Sequence, residues 1–182
     1  MSPPTSTIAE ALAALGAVFE GLGLRWYLFG AQAAIVYGSS RATKDIDVTV
    51  EIGPIAPSEL IARLLAAGFT PRATDLDELA RTVRVLPIEH AATTTPVDVV
   101  LSGPGLEELF LANARTSLVA GIEVPVAAPE DLVTMKLLAG RPHDREDVIA
   151  ILRAQGSALA LDRTRETLSR SEEHTSELQS PC

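Results

Sequence analysis

The segment from Phe29 to Val50, FGAQAAIVYGSSRATKDIDVTV, constrains the fold more than any other part of the sequence. An apolar run ends at Gly30, small apolar residues follow, and then comes a loop rich in hydroxyl groups and cations. The next residues alternate between apolar and polar side chains, which is the pattern of a strand with one buried face. The apolar ones are Ile46, Val48 and Val50, and the polar ones are Asp45, Asp47, Thr49 and Glu51.

Asp45 and Asp47 are two residues apart on this predicted strand, so both side chains project from one face, about 7 Å apart along the backbone. Mg²⁺ prefers hard oxygen ligands and is commonly held by one or two carboxylates together with substrate phosphates. Two negative charges this close repel each other unless a cation or a base neutralises them. An Asp-x-Asp pair is more often two solvent-exposed acids than a metal site, so a metal site is indicated only if the surrounding sequence supports it.

The rest of the chain alternates helical and strand patterns, and its 182 residues are enough for one domain with a well-filled core. Helices are predicted at 8–22, 31–37, 57–67, 105–113, 129–138 and 144–155, with a further one from 159, and Asp144 is the predicted cap of the helix at 144–155. Strands are predicted at 26–29, 45–52, 82–86, 97–101 and 119–127.

The last thirteen residues, RSEEHTSELQSPC, differ abruptly from the preceding sequence in composition. They resemble the translation of a common sequencing adapter, so we treat 170–182 as an artefact and leave them out of fold reasoning. This tail carries one arginine and three glutamates, so without it the formal net charge changes from −9 to −7. The only cysteine, Cys182, lies in the tail, which excludes a disulfide framework or a thiol nucleophile in the remaining chain.

The same composition limits location and partners. No apolar run approaches the ~20 residues that would span a bilayer, and no signal-like start is present, so we expect a cytoplasmic protein without a membrane partner. An acidic chain is unsuited to a broad surface that binds nucleic-acid phosphates, although a local basic patch stays compatible with it.

Three separated motifs, in order along the chain, resemble those of the DNA polymerase β-like nucleotidyltransferase superfamily. The first is the opening segment, the second is PVDVVL with Asp98, and the third is MKLLAGRPHDREDVIAIL. The R-x-T-x-D-x-D form of the first motif resembles the minimal AbiEii-type branch, whose members include toxins of bacterial toxin–antitoxin and phage-defence systems. The resemblance covers residues 26–152, most of the chain.

This resemblance implies an α+β fold, with a mixed-sheet nucleotidyltransferase core at 1–115 and a mostly helical C-terminal part of the same domain at 116–169. It implies transfer of a nucleoside monophosphate from a nucleoside triphosphate to the 3′ end of a tRNA or to a protein hydroxyl, with Mg²⁺ or Mn²⁺ and with a cognate antitoxin as a possible partner. The implied metal ligands are Asp45, Asp47 and Asp98, which with Lys136 are also the implied catalytic residues. The implied nucleotide- and phosphate-binding residues are Gly30, Ser39, Ser40, Arg41, Thr43, Arg141, Asp144 and Asp147.

Several alternatives stay open. Ala31 stands where the family has a second glycine or a serine, and its missing hydroxyl allows a catalytically silent module that binds nucleotide as a sensor. Asp144 and Asp147 are also typical of an N-cap and a first-turn acid that stabilise a helix. Lys136, which lies among apolar residues, is also compatible with a surface lysine whose stem packs along the protein.

Overall fold

A computed structural model of the chain describes residues 6–178, with side chains described to residue 170. Residues 179–182, including Cys182, lie outside the described residues. The helices in the described part are α1 (Thr7–Gly21), α2 (Gly30–Val36), α3 (Pro57–Ala66), α4 (Leu76–Thr82), α5 (Leu106–Asn113), α6 (Pro129–Ala139), α7 (Pro142–Gln155) and α8 (Leu161–Leu178). The strands are β1 (Arg25–Phe29), β2 (Ile46–Glu51), β3 (Phe69–Pro71), β4 (Val85–His90), β5 (Thr95–Leu101), β6 (Arg115–Val119) and β7 (Ile122–Val126).

The seven described strands form one mixed sheet in the order β3-β4-β5-β2-β1-β7-β6. β2 pairs antiparallel with β1 and parallel with β5, and β1 pairs parallel with β7. The remaining pairs, β3 with β4, β4 with β5 and β6 with β7, are antiparallel. The chain therefore has the α+β architecture with a mixed sheet that the sequence predicts.

The centre of the sheet is covered by helices. Ile46, Val48 and Val50 on β2 are fully buried, as the alternation predicts, and α1 packs against β1, β2, β5 and β7. Thr49, on the other face of β2, is also buried, so that face is not open to solvent along its length. Only its two ends are partly exposed, and Asp47 lies at one of them.

Three predicted elements are corrected by the structure. The strand predicted at 82–86 is instead the end of α4 followed by the start of β4, because the Asp75 carboxylate accepts a hydrogen bond from the backbone N–H of Glu78 (2.8 Å) and so caps a helix at this point. The bent strand predicted at 119–127 is instead the last residue of β6, a turn at Ala120 and Gly121, and β7, which pairs antiparallel with β6. Asp144 does not cap α7, because the helix begins at Pro142 with Arg141 at the N-cap position.

The C-terminal helices pack against α2 and against each other. α2 packs on β1, β2 and α6, and α6 packs on both α7 and α8. The predicted boundary at residue 115 separates a core from a mostly helical part, but β6 and β7 lie after it and belong to the same sheet as the other strands. The boundary therefore stays a proposal. Within residues 6–178, no helix combines the length and the apolar character needed to cross a bilayer, and the cytoplasmic location stays a prediction.

Candidate active site

The three predicted metal ligands lie on or directly beside the adjacent strands β2 and β5. Asp47 on β2 and Asp98 on β5 are directly opposite each other in the parallel register, and Asp45 immediately precedes β2. Neighbouring residues in register on parallel strands project to the same face of a sheet. All three side chains line one cavity of about 480 Å³. Asp98 therefore faces the same cavity as the Asp45–Asp47 pair.

Gly30 is required here by the position of Asp47. It begins α2 with a φ of 68°, and a Cβ built on it would overlap the carboxylate of Asp47. An L-residue with a side chain would thus be strained in its backbone and would also displace the carboxylate. Gly30 therefore leaves space for the Asp47 carboxylate, and it also lines the cavity.

Asp47 is the most perturbed acid in the cavity. Burial and, to a smaller extent, the negative charges of Asp98 and Asp45 raise the pKa of its carboxyl to about 6, against the opposing effect of Arg141 and Lys136. A carboxyl with this environment gains free energy from any cation that approaches it. The electrostatics of the site therefore favour cation binding next to Asp47.

Lys136 on α6 is buried, with only 5% of its surface exposed, which excludes the surface-lysine alternative. Its Nζ donates to Asp147 Oδ2 at 2.7 Å and to Asp144 Oδ1 at 3.3 Å, both on α7. Arg141 Nε donates to the other oxygen of Asp144 at 2.7 Å. Burial raises the pKa of Asp144, but the hydrogen bonds from Arg141 and Lys136 outweigh it and the pKa is lowered. Both acids are therefore charged partners of the lysine rather than simple helix-cap residues.

The loop after α2 joins this network. Ser39, which is buried, donates its hydroxyl to Asp147 Oδ1 at 2.7 Å, and the backbone N–H of Arg41 donates to Ser39 Oγ at 3.3 Å. Burial acts to raise the pKa of Asp147, and the hydrogen bonds from Lys136 and Ser39 reverse the effect and lower it. Ser40, in contrast, is exposed.

The remainder of the same loop is held over the cavity. The Gln32 side-chain amide donates to the backbone carbonyl of Thr43 (3.2 Å), and Thr43 Oγ1 accepts from the backbone N–H of Asp45 (3.2 Å). Arg41 lines the cavity, and its Nε is buried with no hydrogen-bond partner in the part of the chain that the structure describes. A buried donor without a partner is costly, so Arg41 is suited to an anionic ligand.

Nine of the twelve predicted site residues line the cavity: Gly30, Arg41, Thr43, Asp45, Asp47, Asp98, Lys136, Arg141 and Asp144. The three that do not are Ser39, Ser40 and Asp147. Ser39 and Asp147 lie behind the lining and hydrogen-bond to each other, while Ser40 is exposed beside them in the loop.

The site also contains side chains that are not among the predicted site residues. Phe29, Leu132 and Met135 give the cavity apolar walls, and His143 lies beside Asp144 in the lining. Arg72, which directly follows β3, donates from Nη2 to Asp98 Oδ1 at 3.0 Å. No sequence signal identifies Arg72, because β3 itself was not predicted.

The residues present fit a divalent ion in their chemistry, since three carboxylates on adjacent strands supply hard oxygen donors. Four carboxylates and three cationic side chains line the cavity, so the lining alone does not attract a triphosphate. Among the residues that the structure describes, no three His, Cys, Asp or Glu side chains are grouped closely enough to hold a metal ion. One of the three candidate ligands, Asp98, is hydrogen-bonded to Arg72.

The fold is similar to that of solved nucleotidyltransferases. ANT(2″)-Ia, an antibiotic-resistance factor, superposes with a TM-score of 0.60 at 14% sequence identity, over 97% of each chain. The chain has a nucleotidyltransferase-like fold. An antigenic nucleotidyltransferase-like protein from Paracoccidioides brasiliensis gives a TM-score of 0.58 at 16% identity, over 97% of this chain and 94% of that one.

The lincosamide antibiotic adenylyltransferase LnuA, in its lincomycin-bound structure, gives a TM-score of 0.52 at 14% identity, over 78% of this chain and 94% of that one. No protein-family model matches the sequence, and no curated protein matches it either. At these identities the neighbours establish the fold of the chain, and the AbiEii-type branch stays a prediction.

Proposed function

We propose that the protein is a metal-dependent nucleotidyltransferase, which moves a nucleoside monophosphate from a nucleoside triphosphate to an acceptor hydroxyl. The observation that carries the proposal is the parallel register of Asp47 and Asp98, which brings both to one cavity with Asp45 in a chain with a nucleotidyltransferase-like fold. Lys136 and Arg141 line the same cavity.

Asp45, Asp47 and Asp98 would hold Mg²⁺ or Mn²⁺. Such ions, when bound, offset the charge of the triphosphate and stabilise the attacking and leaving oxygens of an in-line displacement. In the reaction, a bond forms between the acceptor oxygen and the α-phosphorus, the bond to pyrophosphate breaks, and the hydroxyl proton leaves the acceptor oxygen. Asp98, which is partly exposed at the cavity, is the carboxylate we assign to accept that proton.

The cationic side chains have different roles. Arg41 and Arg141 line the cavity and would donate hydrogen bonds to phosphate oxygens. Lys136 is buried and held by two carboxylates, so it contributes positive charge from the wall of the cavity in a fixed position. Ser39 and Asp147 act through Lys136 rather than by touching the phosphates.

For the acceptor we propose the 3′ end of a tRNA or a protein hydroxyl, in line with the resemblance to the AbiEii-type branch, with a toxin role and an antitoxin partner. The local charge supports an RNA in one respect: Lys44, Arg141 and Arg145 are exposed next to the loop and helix that border the cavity. A small hydroxylated molecule is the third class to test, because ANT(2″)-Ia has been solved with adenylyl-2″-tobramycin and LnuA with lincomycin.

The test is transfer from each α-labelled nucleoside triphosphate, with Mg²⁺ or Mn²⁺, to three separate acceptor pools: total tRNA, cell-extract protein, and tobramycin with lincomycin. We expect label in one pool, lost in Asp47→Asn and Asp98→Asn but kept in Glu123→Gln, a matched neutralisation of an exposed acid on β7. Nucleotide binding without transfer in any pool would support the catalytically silent sensor. Absence of metal-dependent nucleotide binding would refute both.

A further inference from the structure

Arg72 is fixed in the sheet beside the candidate metal ligands. Its backbone N–H donates to the carbonyl of Pro87 on β4 at 2.9 Å, and Pro87 is directly opposite Asp98 in the β4–β5 register. The Arg72 side chain reaches past β4 to Asp98, where Nη2 lies 3.0 Å from Oδ1. The two side chains are 34% and 42% exposed, so both can be rearranged without opening the core.

The Arg72–Asp98 pair acts on the same carboxylate that a divalent ion would need. A carboxylate oxygen that accepts a hydrogen bond from a guanidinium is less available as a metal ligand, and a fixed positive charge next to the site repels a cation. Asp45 and Asp47 have no ion pair in the part of the chain that the structure describes, so among the three acids only Asp98 is restrained in this way.

We propose that Arg72 is a positioning residue that lowers the affinity of the nucleotide-free protein for divalent metal by holding Asp98. The metal has to displace the guanidinium from Asp98 before all three carboxylates can act together. This inference rests on the proposed function, since it requires a metal site formed by these acids.

The test measures Mn²⁺ binding to the full chain without nucleotide, from the electron paramagnetic resonance signal of free Mn²⁺. Arg72→Gln should bind Mn²⁺ about three- to tenfold more tightly than the unmodified protein, because it removes an exposed ion pair and a repelling charge. In an Asp98→Asn background the same substitution should tighten Mn²⁺ binding by less than about twofold, since only the removal of the repelling charge then remains.

A matched control is Arg25→Gln, because Arg25 pairs with Glu51 across β1 and β2 at 2.8 Å, outside the cavity. This variant should leave the Mn²⁺ affinity within about twofold, the level expected for a distant screened charge. Circular dichroism and thermal melting of each variant confirm folding. Arg72→Lys keeps the positive charge but loses the planar guanidinium group, so its Mn²⁺ affinity should lie between those of Arg72→Gln and the unmodified protein.

Each outcome separates this proposal from the proposed function. Equal or weaker Mn²⁺ binding in Arg72→Gln overturns the restraint while leaving the metal site intact. Equal tightening with and without Asp98 would show that Arg72 acts as a general surface charge, which also overturns it. If neither the unmodified protein nor Arg72→Gln shows saturable Mn²⁺ binding that Asp47→Asn removes, the metal site itself fails, and with it the proposed function.

Discussion

Replacing Asp47 by asparagine should make the metal-free protein more stable at neutral pH while abolishing its proposed activity. Burial and two neighbouring carboxylates raise the pKa of Asp47 from 3.8 to about 6 in the folded protein. A carboxyl with a raised folded pKa binds protons more strongly in the folded state than in the unfolded one. Its contribution to stability is therefore present at low pH and is lost as the pH rises through the window from 3.8 to about 6.

The size of the effect follows from the shift. About two pKa units at 1.36 kcal/mol each give roughly 3 kcal/mol lost above pH 6, of which about half, ~1.5 kcal/mol, is lost between pH 5 and 8. Asparagine has nearly the same shape and stays neutral, so it avoids this loss without meeting Gly30 more closely. We expect Asp47→Asn to be more stable than the unmodified protein by about 3 kcal/mol at pH 8 and by about half of that at pH 5.

Urea denaturation in EDTA at both pH values measures this difference. With a urea dependence of about 1–3 kcal/mol per molar, the midpoint should rise by about 1–3 M at pH 8. Glu123→Gln, which also removes one negative charge, should shift stability by less than about 0.5 kcal/mol at either pH. A variant that is less stable at pH 8, or equally shifted at both pH values, would refute the electrostatic argument.

Two further predictions concern the small residues around the site. Gly30→Ala should lower the transfer rate at least tenfold and destabilise the fold by about 2–4 kcal/mol, because the new Cβ overlaps the Asp47 carboxylate and the backbone is strained. The control is Gly53→Ala, since Gly53 has a φ of 52° and open space around it, so this variant measures the backbone strain alone. Thermal melts and the transfer assay measure both variants. Ser39→Ala should lower the free energy of unfolding by about 1–3 kcal/mol, measured by urea denaturation, because the hydrogen bond to Asp147 is lost. The control Ser40→Ala should leave stability unchanged. If Ser39→Ala instead raised the KM for nucleotide and left stability unchanged, Ser39 would be assigned to phosphate binding.

The central strand could be predicted from the sequence because it obeys a local rule. Alternation with period two placed Ile46, Val48 and Val50 in the core and Asp47 on the opposite face, and the structure confirms this arrangement. The helices that begin near Pro57 and Pro129 were also correct, since proline in the first turn and the apolar spacing that follows are both local signals.

Other elements could not be predicted because their stability comes from tertiary pairing. β6 is an edge strand whose one partner among the seven described strands is β7, and four of its five residues are partly or fully exposed, so it lacks an apolar pattern. β3 has three residues and one buried side chain, Phe69, which is too short for a period to show. Arg72 follows β3, so its contact with Asp98 was hidden for the same reason.

The charges of the site show the same limit. Sequence motifs selected Lys136, Asp144 and Asp147 together, but spacing along a chain does not say which atoms pair. The structure shows that both acids bind the lysine and that Ser39 completes the set from a distant loop. Ser39 and Asp147, which were expected at the phosphates, thus hydrogen-bond to each other, and this contact depends on the packing of α2 against α6 and α7.

The hydrogen bond between Ser39 and Asp147 joins residues 108 positions apart, and this separation has a consequence for synthesis on the ribosome. About 90 residues separate the first acids of the site from Lys136, which at roughly 5–20 residues per second takes about 5–20 s to translate. During that interval the nascent chain carries Asp45 and Asp47 without the lysine. The contacts of Lys136 with α7 can form only after α7 has emerged from the ribosome, so a chain interrupted before Lys136 carries Asp45 and Asp47 without the lysine.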